Sequence, residues 1–125
     1  MGRRRTQRIL IVEDDLSTSQ LISEALSDSG YELLVAREGG EALRLVSEHA
    51  PSAITLDLEL PGIDGRSFLL GLRSDKRTKR TPVIVVSANC DVLNTFERRS
   101  VSRVFSKPFD VGELRAAVAG LASPA

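Results

Sequence analysis

Two hydrophobic rhythms alternate along this chain. Short unbroken aliphatic runs, Ile9 to Val12 and Val83 to Val86, have the length and β-branched content of central parallel strands covered on both faces. Ala53 to Asp57 is a third such run, closed by Pro51 before it and by a Pro61-Gly62 turn after it; Tyr31 to Ala36 and Arg103 to Phe105 read as two more strands. Between them apolar residues recur three or four positions apart, as on helices with one buried face. The first helix carries Leu21, Ile22, Ala25 and Leu26 as its stripe, Ser17 and Gln20 at capping-box spacing, and Gly30 as its stop. The second opens at Gly39 and Gly40, turns Leu43 and Val46 inward and ends before Pro51. Asp64 is the expected N-cap of a third around Phe68, Leu69 and Leu72. Ser74 to Thr81 is a charged loop, Val92, Leu93 and Phe96 suggest one short amphipathic helix, and Asp110 and Glu113 cap a last helix bearing Leu114, Ala117, Val118 and Leu121. Five strands alternating with five helices predict an α/β domain, a doubly wound parallel sheet with right-handed crossovers.

Composition narrows this only a little. With 125 residues, 42% of them hydrophobic, the chain suits one globular domain. Seventeen basic and seventeen acidic residues cancel, so no global field recruits nucleic acid or a membrane surface. The basic residues of the charged loop lack interleaved aromatics for base stacking. No run approaches a membrane span, no secretory signal is visible, and a single Cys90 fits a cytoplasmic location. Residues 1–7 read as a basic solvated tail, although Met1, Gly2 and Thr6 fit the loose N-myristoylation spacing. The folded unit is expected over residues 8–122, with a short tail over 123–125.

The candidate chemistry lies at strand ends. In doubly wound folds ligands bind beyond the carboxyl ends of the strands. Those ends carry Glu13 and Asp14, Asp57, Ser87 and Lys107. Three carboxylates brought together raise one another's pKa unless a cation intervenes, and hard carboxylate oxygens are the ligands Mg²⁺ prefers. Lys107 adds a mobile point charge and Ser87 a neutral hydroxyl. A nucleophile, charge neutralisation and donors for equatorial oxygens are the parts of phosphoryl transfer to a carboxylate.

The segments ILIVEDD (9–15), LDLELPGIDG (56–65), VVSAN (85–89) and SKPF (106–109) resemble the four motifs of the response-regulator receiver domain of two-component signalling. The likeness spans Arg8 to Leu121 and implies a flavodoxin-like sheet in the order 2-1-3-4-5. It implies Asp57 as the acceptor of a phosphoryl group from a histidine kinase or histidine phosphotransfer protein. Asp14 and Asp57 would then be direct Mg²⁺ ligands beside Glu13, with the backbone carbonyl of Glu59 as a third. Ser87 would be the switch hydroxyl, Ala88 the small residue leaving access, Lys107 the conserved-type lysine, and Lys107-Pro108 a candidate cis bond. Phosphorylation would switch contacts with a downstream protein or a fused output domain, or a homodimer built on helix four, strand five and helix five. The module would have no enzymatic substrate beyond its own phosphorylation and dephosphorylation.

Two departures stand out. Receivers commonly carry Tyr or Phe three positions before the lysine; here Val104 stands there, with Phe105 one position later and therefore on the opposite face. The segment from Ser87 to Lys107 is also short by about two residues for such a domain. An output face altered in this way leaves a constitutive, unphosphorylated interaction module as one alternative. An Mg²⁺-dependent phosphatase with an Asp nucleophile is another, although Glu59 rather than Asp stands two residues after Asp57. A flavodoxin-like cofactor binder is the third, but acidic residues after strand one would repel a phosphate.

Overall fold

A computed structural model describes residues 6–122. The expectations for the basic start, including the myristoylation spacing at Met1 and Gly2, and for the tail at 123–125 lie outside the described residues. β1 (Arg8–Val12) pairs with β2 (Glu32–Ala36) on one side and with the central strand β3 (Ala53–Leu56) on the other. Beyond β3 come β4 (Val83–Ser87) and β5 (Arg103–Ser106), giving one parallel sheet in the order β2-β1-β3-β4-β5.

Alternation along the strands divides the core in two. Leu10, Val12, Ile54, Leu56, Val83 and Val85 pack against α2 (Gly39–His49) and α3 (Gly65–Ser74) through Ala42, Val46, Phe68, Leu69 and Leu72. Ile9, Ile11, Ala53, Ile84 and Val86 pack against α1 (Leu16–Leu26) and α5 (Val111–Ala122) through Ile22, Leu26, Leu114 and Val118. Each large side chain removed from water in this way contributes about 1.5–3 kcal/mol. Every residue of β3 and β4 is buried, as expected for strands without a solvent face.

Local chemistry moves several predicted boundaries. The N-cap of α1 is Asp15, whose carboxylate accepts from the Thr18 amide at 2.9 Å and the Thr18 hydroxyl at 2.6 Å, so the Ser17–Gln20 capping box does not form. A charged acceptor suits the positive end of the helix dipole better than a serine hydroxyl. Leu21 and Leu43 face outward rather than in; the buried face of α1 runs through Ser19, Ile22, Ala25 and Leu26, and that of α2 through Gly39, Ala42 and Val46. Tyr31 precedes β2 instead of belonging to it, because Gly30 turns the chain with φ of 78°.

The single helix expected around Val92 to Phe96 is two pieces, a 3₁₀ turn at Cys90–Val92 and α4 (Thr95–Arg99). Asn94 separates them. Its side chain accepts from the Glu97 amide at 2.8 Å while the Glu97 carboxylate accepts from the Asn94 amide at 2.9 Å, so the helix starts afresh there. Leu93 is buried by the extended link, and Phe96 is left 67% exposed.

A cluster of carboxylates around one lysine

Glu13, Asp57 and Lys107 reach the same sheet edge through backbone hydrogen bonds to neighbouring strands. Beyond β1 the Glu13 amide donates to Ala36 O at 2.9 Å, which prolongs the ladder and buries the Glu13 side chain. The Asp57 amide donates to Val12 O at 2.9 Å, setting Asp57 beside the end of β1 although β3 itself stops at Leu56. Carboxylate oxygens of Glu13, Asp14 and Asp57 all lie within 4.8 Å of one another. Glu13 and Asp57 are buried and Asp14 is exposed, so the cluster is open to solvent on one side.

Lys107 comes from the far side of the sheet. Its amide donates to Ser87 O at 3.0 Å, and the Lys107-Pro108 bond is cis. The ammonium then sits 2.7 Å from Glu13 Oε1 and 3.1 Å from Asp57 Oδ2. Ser87, fully buried at the end of β4, accepts a long hydrogen bond from the Asn89 amide at 3.4 Å, while Ala88 beside it is exposed. Glu59 takes part through its backbone: its amide donates to Asp57 Oδ1 at 3.0 Å, while its own side chain is exposed.

Glu13, Asp14, Asp57 and Lys107 are therefore brought together, the Glu59 amide reaches Asp57, and Ser87 ends the strand beside Lys107 with its hydroxyl turned to the Asn89 amide. What the sequence did not announce is the Asp15 amide, which donates to Glu13 Oε2 at 3.1 Å. Main-chain donors carry no residue signature.

The charge balance is uneven. Burial, opposed by the Lys107 hydrogen bond and reinforced by the neighbouring Asp57 carboxylate, pushes Glu13 up to about 7. Burial works against the Lys107 charge, but its bonds to Glu13 and Asp57 outweigh that and hold its pKa above the ordinary lysine value. One ammonium thus serves two buried carboxylates, with a third acid open beside them. Such a site has room for more positive charge. The donors are hard oxygens with no thiolate or imidazole among them, which fits a hard divalent cation such as Mg²⁺.

The family model described as the response regulator receiver domain matches residues 9–119. The chain belongs to that family. This receiver is 30% identical over 112 residues to sporulation initiation phosphotransferase F of Bacillus subtilis, covering 90% of either chain. In structure it is similar to a sensor protein from Polaromonas, with a TM-score of 0.84, 32% identity and coverage of 92% of this chain and 94% of that one. It is also similar to the receiver domain of a sensor histidine kinase from Pseudomonas aeruginosa, solved with magnesium coordinated in its active-site cleft. There the TM-score is 0.82 and the identity 28%, with 94% of this receiver and 98% of the other covered. Among the described residues no helix is long and apolar enough to cross a membrane.

Proposed function

We propose that this receiver takes a phosphoryl group onto Asp57 from a histidine kinase or histidine phosphotransfer protein, and that the modification switches its contacts with a downstream partner. The observation that carries the proposal is the bridge of Lys107 between Glu13 and Asp57, with Asp14 open beside it. Mg²⁺ held by Asp14, Asp57 and the Glu59 carbonyl, with Glu13 alongside, would neutralise the charge that gathers on the phosphoryl oxygens.

The chain's own residues account for the remaining steps. A carboxylate oxygen of Asp57 attacks phosphorus; the bond from phosphorus to the donor's imidazole nitrogen breaks, and its electron pair leaves with the imidazole. The Glu59 amide keeps the Asp57 carboxylate oriented during attack. Lys107, already within hydrogen-bond reach of Asp57 Oδ2, exchanges that partner for a phosphoryl oxygen. Ser87 donates its hydroxyl to another phosphoryl oxygen, and exposed Ala88 leaves the approach clear. Hydrolysis of the acyl phosphate returns the carboxylate, so the module turns over only its own modification.

The readout differs from the family's usual one. Val104 packs on the α2 and α3 side of the sheet, whereas Phe105 is buried on the α1 and α5 side, with the Arg103 guanidinium 4.8 Å above its ring. Phe105 is thus on the wrong face to act as an aromatic switch beside α4. A structure of the phosphorylated form should show Phe105 still buried; its movement to an exposed position would contradict this reading.

The test of the proposal is a phosphoryl adduct. Incubated with Mg²⁺ and acetyl phosphate, the protein should gain one phosphoryl group by intact mass, and Asp57→Asn should gain none. An adduct that persists in Asp57→Asn would refute the assignment, and steady release of phosphate from a phosphomonoester would favour a phosphatase instead.

A further inference from the structure

The loop that follows Asp57 is clamped at both ends by glycines that leave no room for a side chain. A Cβ on Gly65 would lie 2.5 Å from Leu58 Cα and 2.6 Å from the Asp57 carbonyl oxygen, and the Gly65 amide donates to Leu58 O at 3.0 Å. That contact is local to the loop. The second comes from another element. A Cβ on Gly39, the first residue of α2, would lie 2.5 Å from the Ile63 carbonyl oxygen and 2.8 Å from Ile63 Cβ. No side-chain rotation relieves either contact, because both involve main chain or the Cβ attached to it. Gly40 differs sharply: a Cβ there meets only Glu38 Oε1, at 3.2 Å, the free end of a flexible side chain.

We infer that Gly39 is a positioning residue for the phosphoacceptor loop, setting the place of Ile63 and, through it, of Asp57's carboxylate and the Glu59 backbone. The inference rests on the proposed function and extends it to a residue that touches none of the reacting groups. Ile63 is followed by Asp64, whose Oδ1 caps α3 by accepting from the Ser67 amide at 2.8 Å, and then by Gly65 against Asp57. With that end fixed, any atom added at Gly39 pushes the Pro61-Gly62 turn outward. The stretch that must yield includes Glu59, whose amide holds Asp57 Oδ1 and whose carbonyl is the proposed Mg²⁺ ligand. Helix propensity alone predicts the opposite, since Ala in place of Gly favours a helix at either position.

Calorimetric titration with Mg²⁺ of the wild type, Gly39→Ala and Gly40→Ala separates these expectations. Gly39→Ala should weaken Mg²⁺ binding roughly tenfold, as loss of support behind a metal ligand does. Gly40→Ala should stay within about twofold, as for a substitution that displaces nothing rigid. Phosphorylation of Gly39→Ala by acetyl phosphate should be slow at limiting Mg²⁺ and recover at saturating Mg²⁺, a rescue that general destabilisation would not produce. If Gly39→Ala does not fold, Ile63→Gly decides, because it removes the Cβ facing Gly39 without adding an atom and should likewise weaken Mg²⁺ binding. Equal Mg²⁺ affinity in wild type and both glycine variants, or in wild type and Ile63→Gly, would overturn the inference while leaving the proposed function standing. A wild type that binds no Mg²⁺ would overturn both.

Discussion

Glu13 shows what burial does to a single charge. Its carboxyl is held at about 7 instead of its ordinary 4.5, so between those values the folded protein binds more protons than the unfolded chain. Stability therefore falls as pH rises through that window; the contribution is complete below about 4.5 and gone above about 7. Lys107 has a raised pKa as well, so its contribution persists through neutrality and is lost only in strong alkali. Urea unfolding in a chelator should show the wild type losing stability relative to Glu13→Gln as pH rises through this range. Parallel pH profiles for the two proteins would contradict the assignment. The sequence made Asp14, Asp57, Ser87 and Lys107 legible because each stands at the end of a readable strand. It did not reveal how the lysine divides between Glu13 and Asp57, since that depends on distances of 2.7 and 3.1 Å set by the ends of three different strands.

Elements were legible where one physical cause dominated. The aliphatic strands and α5, with its Asp110 carboxylate accepting from the Glu113 amide at 2.8 Å, form where periodicity and capping agree. The region from Cys90 to Arg99 misled because its apolar residues fit helical spacing while Asn94 breaks it with a capping box. With only five residues, α4 depends on that cap and on the ion pair at 3.0 Å between Arg66 and Glu97. Asn94→Ala should cost about 1 kcal/mol, the usual value of a lost cap, and amide exchange should quicken selectively at Arg98 and Ser100. Unchanged exchange at those amides would show that packing alone holds α4. Asp64→Ala should cost a similar ~1 kcal/mol at α3 and, by freeing the loop after Asp57, also weaken Mg²⁺ binding.

Across the whole molecule, two apolar layers hold the sheet so that its carboxyl edge stays polar. Phe68, in the layer under α3, is the largest of the fully buried side chains. Phe68→Ala should lower unfolding free energy by about 3–5 kcal/mol in urea denaturation. That is a large share of the roughly 5–15 kcal/mol typical of a domain. The alternating pattern was enough to foresee this architecture, because strands buried on both faces have few other arrangements. The fit between α2 and the loop after Asp57 was not foreseeable, because a glycine looks the same in a sequence whether or not another backbone lies against it.

Chemical trapping of the acyl phosphate tests most directly whether Asp57 accepts the phosphoryl group. Borohydride reduces an aspartyl phosphate to homoserine, marking the acceptor permanently. After treatment with Mg²⁺, acetyl phosphate and borohydride, peptide mapping should find homoserine at position 57 alone, and none when Mg²⁺ is omitted. Homoserine at position 14, or an unmodified position 57 under the same conditions, would contradict phosphoryl transfer to Asp57.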